Sequence, residues 1–107
     1  MRYIYVSGPY TNGDQAANVR AAIEAANVLL DAGYIPYCPH LSHFHHMLFP
    51  HDYETWMQLD LAWLEMCDAV VRLPGHSPGA DREVTRAHEL GIPVYYSVEE
   101  FLKGAAL

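Results

Sequence analysis

Basic residues are scarce in this sequence: Lys and Arg total 6 against 13 Asp and Glu, a formal net charge of −7. A surface that grips a polyanion needs the opposite balance, which excludes a nucleic acid polymer and an anionic membrane as expected partners. The seven His soften that charge only once imidazoles begin to protonate, below about pH 6.5. A small anionic ligand stays possible, because a local backbone cradle holds one phosphate whatever the net charge. Cysteine is scarce too. Cys38 and Cys67 lie in unrelated contexts without CxxC spacing, which excludes a disulfide framework. They read as small core residues of a reduced protein, with a disulfide as the less favoured alternative.

Long apolar runs are missing, and nothing approaches the roughly 18 residues needed to span a bilayer. The start, Met1 to Gly8, runs straight into a strand-like segment without the layout of a signal peptide. The expected compartment is the cytoplasm. Repeats, linkers and low-complexity stretches are lacking as well. What remains is 107 residues, 51% hydrophobic and 12% aromatic. That is enough for one domain around a compact core, and it excludes wholesale disorder.

Strand-like and helix-like segments alternate along the chain. Residues 2–7 are β-branched and aromatic and stop at Gly8-Pro9. An Ala-rich helical run covers Gln15 to Ala32, and Gly33 closes it. Residues 34–38 form a short second strand weakened by Pro36. A loop rich in His and aromatics fills 39–52, followed by a helix from Tyr53 to Met66 and a third strand over Asp68–Leu73. The turn 74–79 leads into a helix from Ala80 to Leu90, which Gly91 ends. Residues 92–96 make a fourth strand, and Ser97 caps a last helix over 98–103. Strands separated by helices of this length imply right-handed crossovers and a parallel sheet. The expected fold is a three-layer α/β/α domain of about four strands, flavodoxin- or Rossmann-like. Ligands in such sheets bind outside the carboxyl ends of the strands.

Two carboxylates stand on the wrong faces. On the helix from Tyr53, residues Trp56, Leu59, Trp63, Leu64, Met66 and Cys67 share an apolar arc, and Asp60 falls near its middle. On the helix from Ala80, Glu83 lies with Ala80, Val84, Ala87 and Leu90. A first-turn position there predicts a pKa held down by the helix dipole. A buried Asp capping a neighbouring loop and a simple capping Glu are the plain alternatives. Paired carboxyls in one cleft suit cleavage of a glycosidic bond, one attacking the anomeric carbon and the other protonating the leaving group.

The segment Ser77-Pro78-Gly79-Ala80 joins a strand end to a helix start, where free N–H groups and the Ser hydroxyl suit an anion. Gly8-Pro9-Tyr10-Thr11-Asn12-Gly13 offers a second wall, and ordinary β-α turns are the plain reading of both. His40, His43, His45, His46 and His51 lack HExxH or a nearby Cys partner, so no metal site is expected. Such residues more often line a pocket or fill an interface. Phe44, Phe49, Tyr53 and Trp56 make a stacking wall for a flat ring plausible.

Tyr5-Val6-Ser7-Gly8, Asp60-Leu61-Ala62-Trp63-Leu64 running into Cys67-Asp68-Ala69-Val70-Val71, and Ser77-Pro78-Gly79 with Glu83 six residues past Ser77 together resemble the nucleoside 2-deoxyribosyltransferase-like superfamily. That group includes the 5-hydroxymethyl-dUMP N-hydrolase. The likeness covers roughly residues 3 to 95, and it is greatest to small bacterial and phage members. It implies a nucleophilic Glu83 that forms a covalent glycosyl intermediate at C1′, an Asp60 that helps protonate the departing base, and a Tyr5 that orients the Glu83 carboxylate. It also implies that Gly8, Ser77 and Gly79 line the sugar or 5′-phosphate. Pro9, Tyr10 and His40 complete the expected substrate-binding set. The expected partner is a nucleoside or nucleotide, with no cofactor, and the resemblance implies a homodimer or higher homo-oligomer. Family enzymes carry a fifth strand and a C-terminal portion for which the motifs here give no counterpart. A non-catalytic nucleotide-sensing module of the same fold is therefore the alternative.

Overall fold

The computed structural model describes residues 2–106. Four parallel strands form one sheet in the order β2-β1-β3-β4. These are β1 (Tyr3–Ser7), β2 (Ile35–Tyr37), β3 (Ala69–Arg72) and β4 (Val94–Tyr95). The helices are α1 (Gln15–Asp31), α2 (Ser42–Leu48), α3 (Tyr53–Leu64), α4 (Pro78–Leu90) and α5 (Val98–Ala106). Helices α1 and α5 cover one face of the sheet, and α3 and α4 the other. The fold is the three-layer α/β/α arrangement expected from the alternating pattern.

Side-chain alternation along β1 decides what each face receives. Ile4 and Val6 join Ala22, Leu29, Val71 and Phe101 in the core beneath α1 and α5. Tyr5 points the other way, into a smaller cluster with Leu64, Val70 and Ala87. Ser7 shares the parity of Tyr5, and Arg72 lies opposite Ser7 in the parallel register. Polar groups thus enter the α3/α4 layer from the sheet itself.

Helix ends follow their caps. Asp14, Asp52 and Ser77 accept from the backbone N–H groups of Ala17, Thr55 and Ala80 at the starts of α1, α3 and α4. Gly91 ends α4 at φ 72°, a left-handed turn that suits glycine. Helix α4 begins at Pro78, two residues earlier than expected, because Pro is tolerated at a first helical position. Glu83 consequently sits in the second turn rather than the first.

Two expectations are corrected. The loop over 39–52 contains a 3₁₀ turn, Pro39–Leu41, and the helix α2. No residue of α2 is buried: Phe44, Met47 and Leu48 recur at helical spacing but are all exposed, and over seven residues that spacing is too short to stand out. Its signal was the bracketing pair Pro39 and Pro50, with no breaker between them. On α3, the buried face is Met57, Asp60 and Leu64, whereas Leu59, Trp63 and Met66 are exposed. The apolar arc and the buried face of this helix differ, yet Asp60 belongs to the buried one.

Candidate active site at the ends of β1 and β3

The connections leaving β1 and β3 lead to helices on opposite faces, so they part and leave a crevice. A cavity of about 480 Å³ opens there, a size suited to a small organic ligand. Helix α3 contributes Tyr53, Trp56, Met57 and Asp60, and α4 contributes Pro78, Gly79, Ala80 and Glu83. The segment after β1 supplies Gly8, Tyr10, Thr11 and Asn12. His40, Ser42, His46 and His51 close the remaining side.

Glu83 is only 5% exposed. Tyr5 donates its phenol hydroxyl to Oε2, and the Ser7 hydroxyl donates to Oε1 at 2.7 Å. Burial pushes the Glu83 carboxyl above its usual range, while the bonds from Tyr5 and Ser7 and the charge of Arg72 pull it down. The outcome is a raised pKa, which corrects the depressed value expected from the helix dipole. A dipole acts within the first turn of a helix, and desolvation outweighs it at this depth.

Asp60, 9% exposed, is pushed up to about 7 by burial first and by the neighbouring Glu83 second. Its Oδ1 is buried without a hydrogen-bond partner. Near neutral pH such a group exists in both forms, one able to give a proton and the other to take it. The same burial, together with Glu83 and Asp60, holds the Tyr5 phenol well above its usual range, so it stays a donor.

His40 is likewise buried, and its Nε2 lies 2.9 Å from the Pro9 carbonyl. A carbonyl only accepts, so Nε2 carries the proton and Nδ1 is a bare acceptor. Nδ1 has no partner. Burial pushes the imidazole below its usual range, which keeps it neutral. Pro9 does not itself line the cavity; its carbonyl holds His40, and its ring packs against Gly75.

Ser77 Oγ accepts from the Ala80 N–H at 3.1 Å, so its hydroxyl first caps its own helix. Its own hydrogen stays available for a ligand oxygen. A Cβ at Gly79 would lie 3.2 Å from the Tyr53 hydroxyl, and one at Gly8 3.1 Å from Leu73 Cβ. Both glycines therefore admit neighbouring side chains as well as bordering the cavity.

Glu83, Asp60, Gly8, Tyr10, His40, Ser77 and Gly79 come together on one cavity, with Tyr5 directly behind Glu83. Of the expected stacking wall, Tyr53 and Trp56 line the cavity, whereas Phe44 and Phe49 are exposed and do not. Sequence reasoning gave no role to Ser7 or Arg72. Ser7 was detectable from strand period, two residues past Tyr5. Arg72 was detectable as a cation closing an apolar strand; buried, it donates to the Leu73 and Gly75 carbonyls and pairs with Asp81 at 3.2 Å.

A family model described as "Domain of unknown function (DUF7768)" matches residues 2–97. No curated protein matches the chain in sequence. Among solved structures, the chain is similar to a 2-deoxyribosyltransferase from the psychrotolerant bacterium Bacillus psychrosaccharolyticus. The identity is 22%, the match covers 86% of this chain and 69% of that one, and the TM-score is 0.64. At that identity the likeness is one of fold.

Proposed function

We propose that this chain, which belongs to the family described as domain of unknown function (DUF7768), cleaves or transfers the N-glycosidic bond of a nucleoside or nucleoside 5′-monophosphate. One observation carries the reading: two buried carboxyls share a ligand-sized cavity, where burial and then the charge of Glu83 push Asp60 to about 7. Perturbed, paired carboxyls in a cavity are a recurrent arrangement for acid and nucleophile. The fold of the deoxyribosyltransferase neighbour supports the same chemistry.

In this reading a Glu83 oxygen attacks C1′ as the C1′–N bond breaks, its electron pair leaving with the base. Asp60 delivers its proton to that base. Water or a second base then attacks C1′, the Glu83 ester bond breaks, and the incoming group's proton returns to Asp60. Tyr5 and Ser7 fix the Glu83 carboxylate by one hydrogen bond to each oxygen. Each oxygen keeps a second lone pair for attack. No cofactor enters this scheme. Tyr53 and Trp56 form the aromatic wall for the base. A 5′-phosphate or sugar hydroxyl meets the Ser77 hydroxyl and the Gly79 N–H, a first-turn donor without an intrahelical partner.

A chromatographic assay on a panel of nucleosides and 5′-monophosphates, with and without acceptor base, tests this. Free base released by the wild type and not by Glu83→Ala supports it, and dependence on the acceptor separates transfer from hydrolysis. The sensing alternative draws on a specific observation too: Glu83 is 5% exposed and both its oxygens already accept hydrogen bonds. Nucleotide binding without product, unaltered by Glu83→Gln, supports that reading instead. The proposal extends to self-association through Leu41, Phe44, Met47, Leu48 and Phe49, exposed apolar residues on or beside α2. Light scattering that reports a monomer at micromolar concentration overturns that part.

A further inference from the structure

Residues 41–52 run across one side of the cavity without a single buried residue. A helix of seven residues, as α2 is, has little stability of its own. This segment is therefore held by particular side-chain contacts rather than by a core.

One atom collects two of them. His46 Nδ1 accepts from the Trp56 indole N–H at 2.8 Å and from the His51 backbone N–H at 3.2 Å. Both partners can only donate, so Nδ1 must be bare and the ring proton must sit on Nε2. The first bond ties α2 to α3; the second folds the return of the segment back onto α2. His45 and His51 pack edge-on against the same indole, with ring centroids 5.1 and 5.4 Å away. Trp56 and His46 both line the cavity.

We propose that His46 is a positioning residue: its neutral imidazole latches the 41–52 strap over the cavity and sets the orientation of Trp56, and protonation at Nδ1 releases both. An added proton removes the lone pair that takes both bonds and turns the atom into a donor facing two N–H groups. Loss of the latch widens access to the cavity and frees an aromatic wall. This rests on the strap's own contacts and not on the reaction assigned to the cavity.

Other ionisable groups surround it. On the strap these are His45, His51, Asp52 and His43, whose Nδ1 meets the Tyr10 hydroxyl. Across the cavity they are His40, Tyr53, Asp60 and Glu83. A test has to isolate His46 from all of them. His46→Asn does so, because an amide oxygen near the Nδ1 position accepts like the imidazole and does not titrate. His46→Leu removes the acceptor altogether.

The measurement is hydrogen exchange of the Trp56 indole N–H and of the amides of 42–49 and 51, expressed as protection factors to remove the intrinsic pH dependence of exchange. In the wild type, protection falls on going from pH 8 to pH 5.5, by about tenfold for loss of hydrogen bonding worth roughly 1.4 kcal/mol. His46→Leu shows the low value at both pH values, and His46→Asn the high value at both. Equal protection in wild type and His46→Leu at pH 8 overturns the latch. A pH response that survives in His46→Asn overturns its assignment to His46. Amides in β1 and β3 report whether a variant has lost its fold, and keeping their protection makes either outcome decisive.

Discussion

Tyr5 on β1 donates its phenol hydroxyl to Glu83 on α4, 78 residues further along the chain. The strand presents Tyr5 to the layer that holds α4, and the second turn of α4 presents Glu83 to the strand. This bond lowers the pKa that burial raises. Tyr5→Phe keeps the ring and deletes the donor, so the Glu83 pKa rises further and less of it is ionised at neutral pH. Turnover of an accepted nucleoside is expected to fall about 10- to 100-fold, the scale of one hydrogen bond to a charged group. The acid limb of the pH–rate profile is expected to move upward. An unmoved acid limb would place the titrating group elsewhere.

Asp60→Asn separates stability from chemistry. The wild-type carboxyl titrates at about 7 in the fold against an ordinary 3.8. Between those values the folded state holds more protons than the unfolded state, so stability falls as pH rises and the full cost is present above about 7. That cost is up to ~4 kcal/mol by linkage. Asparagine never ionises, so the variant is expected to melt about 5 °C or more above wild type at pH 8. The difference should shrink on acidification and vanish near pH 4. Turnover should be lost at every pH. A thermal melt at pH 8 showing no gain in Tm rejects the buried-charge account.

Ser77 has a capping role that is separable from any ligand role. Ser77→Ala is expected to cost about 1 kcal/mol by loss of the N-cap, and Ser77→Gly only a few tenths. Chemical denaturation measures this difference. Ligand affinity, read by titration, should fall equally in both variants if the hydroxyl donates to the ligand. Affinity that follows stability instead assigns Ser77 to the helix alone.

Gly75 supports the site from outside it. Its φ is +116°, and a Cβ there would lie 2.7 Å from the Pro9 ring, next to the carbonyl that holds His40. Gly75→Ala is expected to destabilise the fold by about 2 kcal/mol through backbone strain. It should also displace the Pro9 carbonyl and so loosen His40. A melt within a degree of wild type would mean that the turn relaxes freely.

The layers of this molecule were legible along the chain because strand and helix periods are local properties. The alternation of apolar strands with capped helices specified a parallel three-layer sheet, and the edge where the cavity opens followed from it. Asp60 and Glu83 stood out as charges among apolar neighbours, and both lie on buried faces. α2 escaped because the helical spacing of Phe44, Met47 and Leu48 spans little more than one turn, too short to stand out. The buried face of α3 was misjudged because Leu59, Trp63 and Met66 are apolar and exposed. What the sequence determined by itself was therefore the order of the four strands and of the helices that pack on them, the layer count and the two displaced carboxyls. Tertiary structure alone decided that Tyr5 and Ser7 each take one oxygen of Glu83, that Asp60 titrates near neutrality, and that His46 joins Trp56 to the strap. Those outcomes depend on strand order and on depth from solvent, which bring together groups far apart in sequence, and no local period encodes either.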